Sequence, residues 1–399
     1  MFTYKSLLLA VLLSLFIYLD YFGLSLKLID TFAILLAYLI LFTLSKKELF
    51  ISGFFTGVLW FWWMSYSFVY YELSYLIPIV LISIGFLYGL LFYITGFFTN
   101  IYFKVIYLFS LSFIEPFGFN WFKLELPLIN SYLGTTKVEL FVLLLVSGLF
   151  VQYRSTLKLK ATLIYSLTIL SLYGYNEFYN INEIIKKNPL KVYQYQTSIG
   201  QDIKWNKRYQ KDIINDNLKM IDNAIKNKYD LIILPETSFP LILNKNTNLR
   251  NALLEKSKQI SIITGSLYQK QYQLYNSTYL FQNNIMQVAH KVVLVPFGEA
   301  VPLPERLRDW INDMFYNGAQ DYITAKEPTT FDIKGIKFRN AICYEATTDD
   351  VYKNLDTHYV IAISNNGWFT PSIQPNLQKL LMKYYSNKYN LFIYDVSNQ

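Results

Sequence analysis

The chain holds 399 residues, 53% of them hydrophobic and 18% aromatic, with a formal net charge of +8 at pH 7, a single Cys and two His. One Cys excludes an internal disulfide, and two His leave too few ligands for the common zinc sites. The apolar residues are concentrated before about residue 175, which excludes one soluble domain and implies a membrane part (1–175) followed by a globular part (176–399).

Seven apolar runs fill the first part, at 6–19, 28–44, 49–70, 75–98, 101–118, 138–153 and 161–175. Those near or above about 17–20 residues are long enough to cross the hydrocarbon core. The first, sixth and seventh are shorter, which also suits interfacial or buried helices. The first has the character of a signal-peptide core as well. However, "YLDYFGLSLK" offers no small-residue cleavage site, and another apolar run follows directly. Seven spans are expected. With a cytoplasmic N-terminus, the inside segments carry Lys5, Lys46, Lys47, Lys104, Arg154, Lys158 and Lys160. The outside segments carry Lys27, Lys123 and Lys137, beside Asp20, Asp30, Glu72, Glu125 and Glu139. Seven basic residues against three satisfy the positive-inside rule. An odd number of spans then puts 176–399 on the outer face. The positive charge, carried mostly by that part, suits an anionic membrane surface, and no nucleic-acid partner is expected.

The globular part is long enough to bury a sizeable core. The junction "YNEFYNINEIIKKNPL" is polar and short, so this domain is expected close to the bilayer. "LKVYQYQTSI" reads as a strand, and 206–228 has apolar residues at helical spacing. "YDLIILPET" is a buried strand ending in a Pro-Glu turn. A short helix at 248–259 precedes the strands "ISIITGSLY", "NSTYLFQ" and "MQVAHKVVLVP". "FDIKGIKFRNAICYE" is a hairpin about Lys334-Gly335, "YVIAISNNGWF" a strand ending in a loop, "NLQKLLMKYYSNKYN" a helix and "LFIYDVS" a strand. Strands alternating with helices imply an α/β layered domain.

Functional side chains of α/β sheets gather where strands end. Three strand ends carry chemistry: Glu236 in "LPETSFP", Lys291 in "AHKVVLVPFGEAVP" and Cys343 in "AICYEATT". Taken one at a time, Glu236 also suits a turn cap, Lys291 a solvated strand residue and Cys343 a core position. A thiol on the oxidising side of a membrane is either deeply buried or kept for its reactivity. A Cys-His pairing through His290 or His358 is disfavoured, because adjacent strand residues such as His290 and Lys291 point to opposite faces.

In this order, "LPETSFP", "HKVVLVPFGEAVPLPE", "ICYE" and "SNNGWF" resemble the nitrilase superfamily. Behind a membrane bundle they resemble the bacterial apolipoprotein N-acyltransferases, as do "IGQDIKWN" and "LYNSTYLF". The resemblance covers nearly the whole chain. It implies a multi-pass α-helical membrane bundle plus an α/β nitrilase-like αββα sandwich. Cys343 is then the nucleophile, Glu236 the general base and Lys291 the transition-state stabiliser, with the Tyr344 N–H facing the oxyanion. Glu299 is expected to orient Lys291 or the base, and Glu345 to support the thiol loop. Trp205, Asn276 and Trp368 are expected substrate-binding residues, with a core-aromatic reading open for both tryptophans. The implied reaction moves an acyl chain from a membrane phospholipid, through a Cys343 thioester, to the N-terminal amine of a diacylated apolipoprotein. Neither cofactor nor metal is expected. The expected protein is monomeric and lies in the bacterial inner membrane, with its catalytic domain periplasmic.

Members of that family generally continue past the position of "FIYDVSNQ" through further strands and a last membrane helix, so this domain is expected to lack both. Asn376 stands where His is common, and Lys379, Lys383 and Lys388 where Arg is usual. The alternatives are a membrane-tethered carbon–nitrogen hydrolase or amidase using water as acceptor, and a truncated, inactive scaffold.

Overall fold

A computed structural model describes residues 4–70, 72–178, 190–315 and 321–399. The chain divides into two units. One is Met1–Pro116 with Asn120–Ile181 and Pro371–Tyr384; the other is Phe117–Phe119 with Asn182–Thr370 and Tyr385–Gln399. Most of the polar junction lies outside the described residues.

In the first unit each apolar run contains a helix: Tyr4–Tyr21, Lys27–Leu41, Lys46–Phe61, Ile77–Thr95, Ile101–Leu111, Lys137–Leu157 and Leu159–Phe178. Two of them start at capping boxes, Ser45 with Glu48 and Thr136 with Glu139, where the side chains satisfy otherwise orphaned helix N–H groups. Among the described residues, five helical stretches are long and apolar enough to cross a membrane: Tyr4–Tyr21, Lys46–Tyr70, Ser74–Thr95, Ile101–Gly118 and Lys137–Leu157. This is a multi-pass membrane protein. Helices Lys46–Phe61 and Ile77–Thr95 approach through paired small residues. A Cβ on Gly53 would lie 2.4 Å from the Tyr88 carbonyl oxygen, and one on Gly85 would lie 2.7 Å from the Phe54 ring. Gly57 and Gly89 repeat the contact one turn on, the small-xxx-small spacing that lets membrane helices touch backbone to side chain. The segment 120–133 is largely buried and polar at its centre. Glu125, fully buried, pairs with Lys137 and accepts from the Tyr384 hydroxyl at 3.1 Å. Asn376 donates to Asp20 at 2.8 Å, and Lys383 donates to Asn130 at 2.8 Å.

The second unit is a two-sheet sandwich. Its strands are β1 (Val192–Gln194), β2 (Leu231–Ile233), β3 (Phe239–Ile242), β4 (Ser261–Lys270), β5 (Gln273–Gln282), β6 (Ile285–His290), β7 (Thr330–Ile333), β8 (Ile336–Ile342), β9 (Tyr359–Asn365) and β10 (Phe392–Asn398). One sheet runs β1-β2-β4-β5-β6 with β3 also on β4, and the other runs β10-β9-β8-β7. Leu231, Ile233, Ile263 and Leu280 of the first sheet interlock with Phe338, Ile342, Ile361, Ile363 and Val396 of the second. The outer face of the first sheet is covered by helices Lys207–Lys226 and Thr247–Lys256, through Ile221, Ala224, Leu249 and Leu253. Lys334 and Gly335 both have positive φ (52° and 82°), as a two-residue type I′ hairpin requires.

Some elements differ from the sequence expectation. The strand expected over 286–296 stops at His290, because the next free N–H groups, of Val292 and Val293, go to the Glu345 carboxylate at 2.7 and 3.2 Å. The first strand is confined to Val192–Gln194, followed by one bridge from Thr197 to Asn398. Strand β3 and the helix Glu305–Phe315 are additional; Pro240 within the former is what argues against a strand in sequence.

Candidate active site

Each candidate side chain is aimed by a strand end. After β2 the backbone turns at Pro235-Glu236-Thr237, with Thr237 at φ 48°. The turn passes so close to β4 that a Cβ on Gly265 would lie 2.5 Å from the Glu236 Cα. Glycine is required there by space. After β6, Lys291 turns inward and is fully buried, whereas His290 packs its ring on Tyr275 and Tyr268 at centroid distances of 4.4 and 4.8 Å. After β8, Cys343 opens a short 3-10 turn, Cys343–Thr347, with φ 55°. A left-handed backbone at a residue other than glycine costs about 1–3 kcal/mol and persists only where its surroundings over-determine it. Several bonds do so at this turn. The Glu345 carboxylate accepts from Ile342 N at 2.7 Å, Tyr352 donates its hydroxyl to the Ala346 carbonyl at 2.6 Å, and Thr347 donates to the Tyr344 carbonyl at 2.6 Å. The Tyr344 ring is held as well, its hydroxyl donating to the Gly118 carbonyl at 2.9 Å and its face stacked on Phe119 at 5.7 Å.

The three ends converge on one charged cluster. Lys291 Nζ lies 2.6 Å from Glu299 Oε2. Asn276 Nδ2 donates to Glu236 Oε1 at 2.6 Å and to Glu299 Oε1 at 2.9 Å, which links the two carboxylates through one amide. Cys343 interacts electrostatically with Glu236, Lys291 and Glu299. Burial, then the Glu236 charge, pushes the Cys343 thiol up to about 12, although Lys291 pulls it down. The resting sulfur is therefore protonated at neutral pH. Burial alone would lower Lys291, but Glu299 and Glu236 overcome it and hold the ammonium above the usual lysine range. Burial raises Glu236, with Glu299 adding to the rise and Lys291, Asn276 and Lys204 opposing it. Burial likewise lifts Glu345 to about 7 against Lys291 and three backbone N–H groups. The result is a protonated thiol, a carboxylate of raised basicity and a fixed ammonium, in a site where charges interact strongly. Such a cluster can move a proton from sulfur to carboxylate while a tetrahedral oxyanion forms beside the ammonium.

Residues 1–172 match the family described as the apolipoprotein N-acyltransferase integral membrane domain, and residues 193–398 match carbon-nitrogen hydrolase. The chain is 40% identical to an apolipoprotein N-acyltransferase of Wolinella succinogenes, over 98% of this chain and 92% of that protein. The chain belongs to the apolipoprotein N-acyltransferase family. It is also 36% identical to the Helicobacter pylori relative of the same description, over 88% of this chain and 82% of that protein. The corresponding figures for the Campylobacter jejuni relative are 35%, 99% and 87%.

Within this family member the remaining candidates are distributed as follows. Asn276 lies inside the cluster, its amide spent on the two carboxylates. Trp205 is 39% exposed, directly after Lys204. Trp368 ends the short turn Asn366–Trp368 after β9 and is half-buried. Sequence alone assigned no role to Lys204, Gly265, Asn365 or Tyr352. Asn365 accepts from Gln201 and Asn398 amides, both at 2.9 Å, and donates to the Thr237 hydroxyl oxygen at 3.4 Å. Of these four, Lys204 and Asn365 carried a signal, their places in "IGQDIKWN" and "SNNGWF".

Proposed function

We propose that this membrane enzyme N-acylates lipoproteins through a Cys343 thioester. Glu236 takes the thiol proton as sulfur attacks the ester carbonyl of a membrane phospholipid. The oxyanion forms against the Lys291 ammonium and the Tyr344 N–H, and the departing lysophospholipid oxygen takes the proton back from Glu236. In the second half, the N-terminal amine of a diacylglyceryl-cysteine attacks the thioester. Its proton passes to Glu236 and then to the leaving sulfur, so no net proton is consumed. A thiol held near 12 makes this base-coupled route favourable over attack by a standing thiolate.

The observation that carries the reading is that one amide joins Glu236 to the Glu299–Lys291 pair beside the chain's single thiol, in a multi-pass membrane protein. The seven-run charge pattern supports seven spans from a cytoplasmic N-terminus, and hence an inner-membrane protein with 176–399 on the periplasmic side. Trp205 and Trp368 are assigned to the acyl chain or to the loops that admit it, and the working unit is taken as a monomer. The test is to incubate purified protein with acyl-labelled phospholipid, quench it and map the label. Hydroxylamine-sensitive label on Cys343, transferred on addition of a diacylated N-terminal peptide, is expected. Release of free fatty acid with no peptide acylation would replace the reading with a hydrolase.

A further inference from the structure

A second buried lysine stands beside the base, and the acyl-transfer steps do not use it. Lys204 ends the short helix Gln201–Lys204 and is 2% exposed. Its Nζ donates to the main-chain oxygen of Glu236 at 3.0 Å. The rest of that turn is held by neutral donors. The Pro235 carbonyl accepts from the Ser238 hydroxyl at 2.6 Å and from Gly265 N at 3.2 Å, and the Asn217 amide donates to the Ser238 carbonyl at 2.7 Å. A neutral amide would satisfy the Glu236 carbonyl equally well, without the heavy desolvation cost of burying an ammonium. The charge itself therefore needs a reason.

The charge inventory supplies one. Three carboxyl groups, Glu236, Glu299 and Glu345, crowd one ammonium, Lys291, and Lys291 is already paired with Glu299. Like charges in a buried cluster drive one carboxyl toward its neutral acid, and a neutral Glu236 cannot accept a proton. The groups facing Glu236 are Lys291, Glu299, Asn276, Lys204 and Cys343. Lys204 is the cation among them that is not engaged with Glu299.

We propose that Lys204 is a positioning residue of the acyl-transfer reaction: its ammonium fixes the Glu236 turn and, as the second cation of the site, keeps the Glu236 carboxyl ionised and ready to receive the Cys343 proton. The proposal rests on Glu236 acting as the base. Burial lowers Lys204 to about 7 while Glu236 pulls it back up. The cation is thus present on the acid side of neutrality, where Glu236 is most in need of it.

The test uses the full chain in detergent micelles with acyl-labelled phospholipid, reading the rate of Cys343 acylation from about pH 5 to 9. Lys204→Gln keeps a donor for the carbonyl but removes the charge, Lys204→Met removes both, and Lys204→Arg restores the charge. For the Gln and Met variants the acid limb is expected to rise by about one pH unit, a roughly tenfold loss on its acid side. On the alkaline plateau the Gln variant should stay within about threefold, and Arg should return the limb to its wild-type position. A Gln variant with a wild-type acid limb, or with an equal loss at every pH, overturns the proposal and leaves Lys204 a structural donor. If Met does not fold, Gln against Arg still decides. Absence of Cys343 label in the wild-type protein at every pH would instead overturn the reading of Glu236 and Cys343 themselves.

Discussion

Replacing Glu299 by Gln tests the electrostatic logic of the cluster, because the geometry predicts changes of opposite sign in different observables. Glu299 forms an ion pair with Lys291 at 2.6 Å and accepts from Asn276 at 2.9 Å and Val295 N at 2.9 Å. Gln keeps the shape and one acceptor oxygen, but it removes the charge facing a fully buried ammonium. Breaking a buried pair in this way costs about 3–5 kcal/mol. Glu236 also attracts Lys291 and the Glu299 side chain is 12% exposed, so the low end, about 3 kcal/mol, applies. For a unit of this size, about 2–4 °C per kcal/mol gives a fall in Tm of roughly 6–12 °C. The Glu299 charge also raises Glu236, and its loss frees Lys291 to pair with Glu236. Both effects lower the Glu236 pKa, so the acid limb of the acylation rate moves to lower pH. The plateau falls by about 10²–10³ as Lys291 is drawn off the oxyanion position. Thermal unfolding in detergent and the pH profile of Cys343 acylation read these out. An unchanged Tm, or an acid limb that rises, refutes the argument.

Other outcomes follow from individual contacts. With the thiol near 12, alkylation of Cys343 by iodoacetamide is slow at pH 7 and rises about tenfold per pH unit. Glu236→Gln removes the second-largest cause of that elevation after burial, so it speeds alkylation while abolishing acyl transfer, and a fall in the alkylation rate would contradict the Glu236 charge as what holds the Cys343 thiol up. Gly265→Ala places a methyl against the Glu236 backbone. It costs about 1–3 kcal/mol from overpacking and, by displacing Glu236 about 1 Å, about 10²-fold in rate; wild-type kinetics would show that the turn yields freely. Glu345 is raised to about 7 by burial, so the folded protein keeps a proton that the unfolded chain has released. Stability conferred through this group therefore falls as pH rises from about 4.5 to 7. Glu345→Gln should flatten that slope in denaturant titrations, and a slope that persists unchanged assigns it to another group.

What the sequence revealed were features that short stretches determine. The apolar runs became helices because their length and hydropathy leave few other options. The Lys334-Gly335 hairpin appeared because two consecutive residues at positive φ are written locally. Glu236, Lys291 and Cys343 were visible as chemistry-bearing residues at strand ends and through their resemblance to a family. Their mutual arrangement was not visible, since the linking groups are remote in sequence. Asn276 was expected among substrate contacts, yet its amide is given to two carboxylates 40 and 23 residues away. Strand β6 ends at His290 because Glu345, in the turn after a strand of the other sheet, claims the N–H groups of Val292 and Val293. The need for glycine at 265 arises from the backbone of a turn that follows a different strand. Period and propensity do not encode such partners.

Glu345 spans the two sheets. One oxygen holds the strand that ends at the thiol, and the other holds the segment leaving the ammonium. Any sliding of one layer over the other must stretch that carboxylate's bonds before it alters the spacing between sulfur and nitrogen. The fold therefore has a crossbeam at the point where slippage would be most damaging.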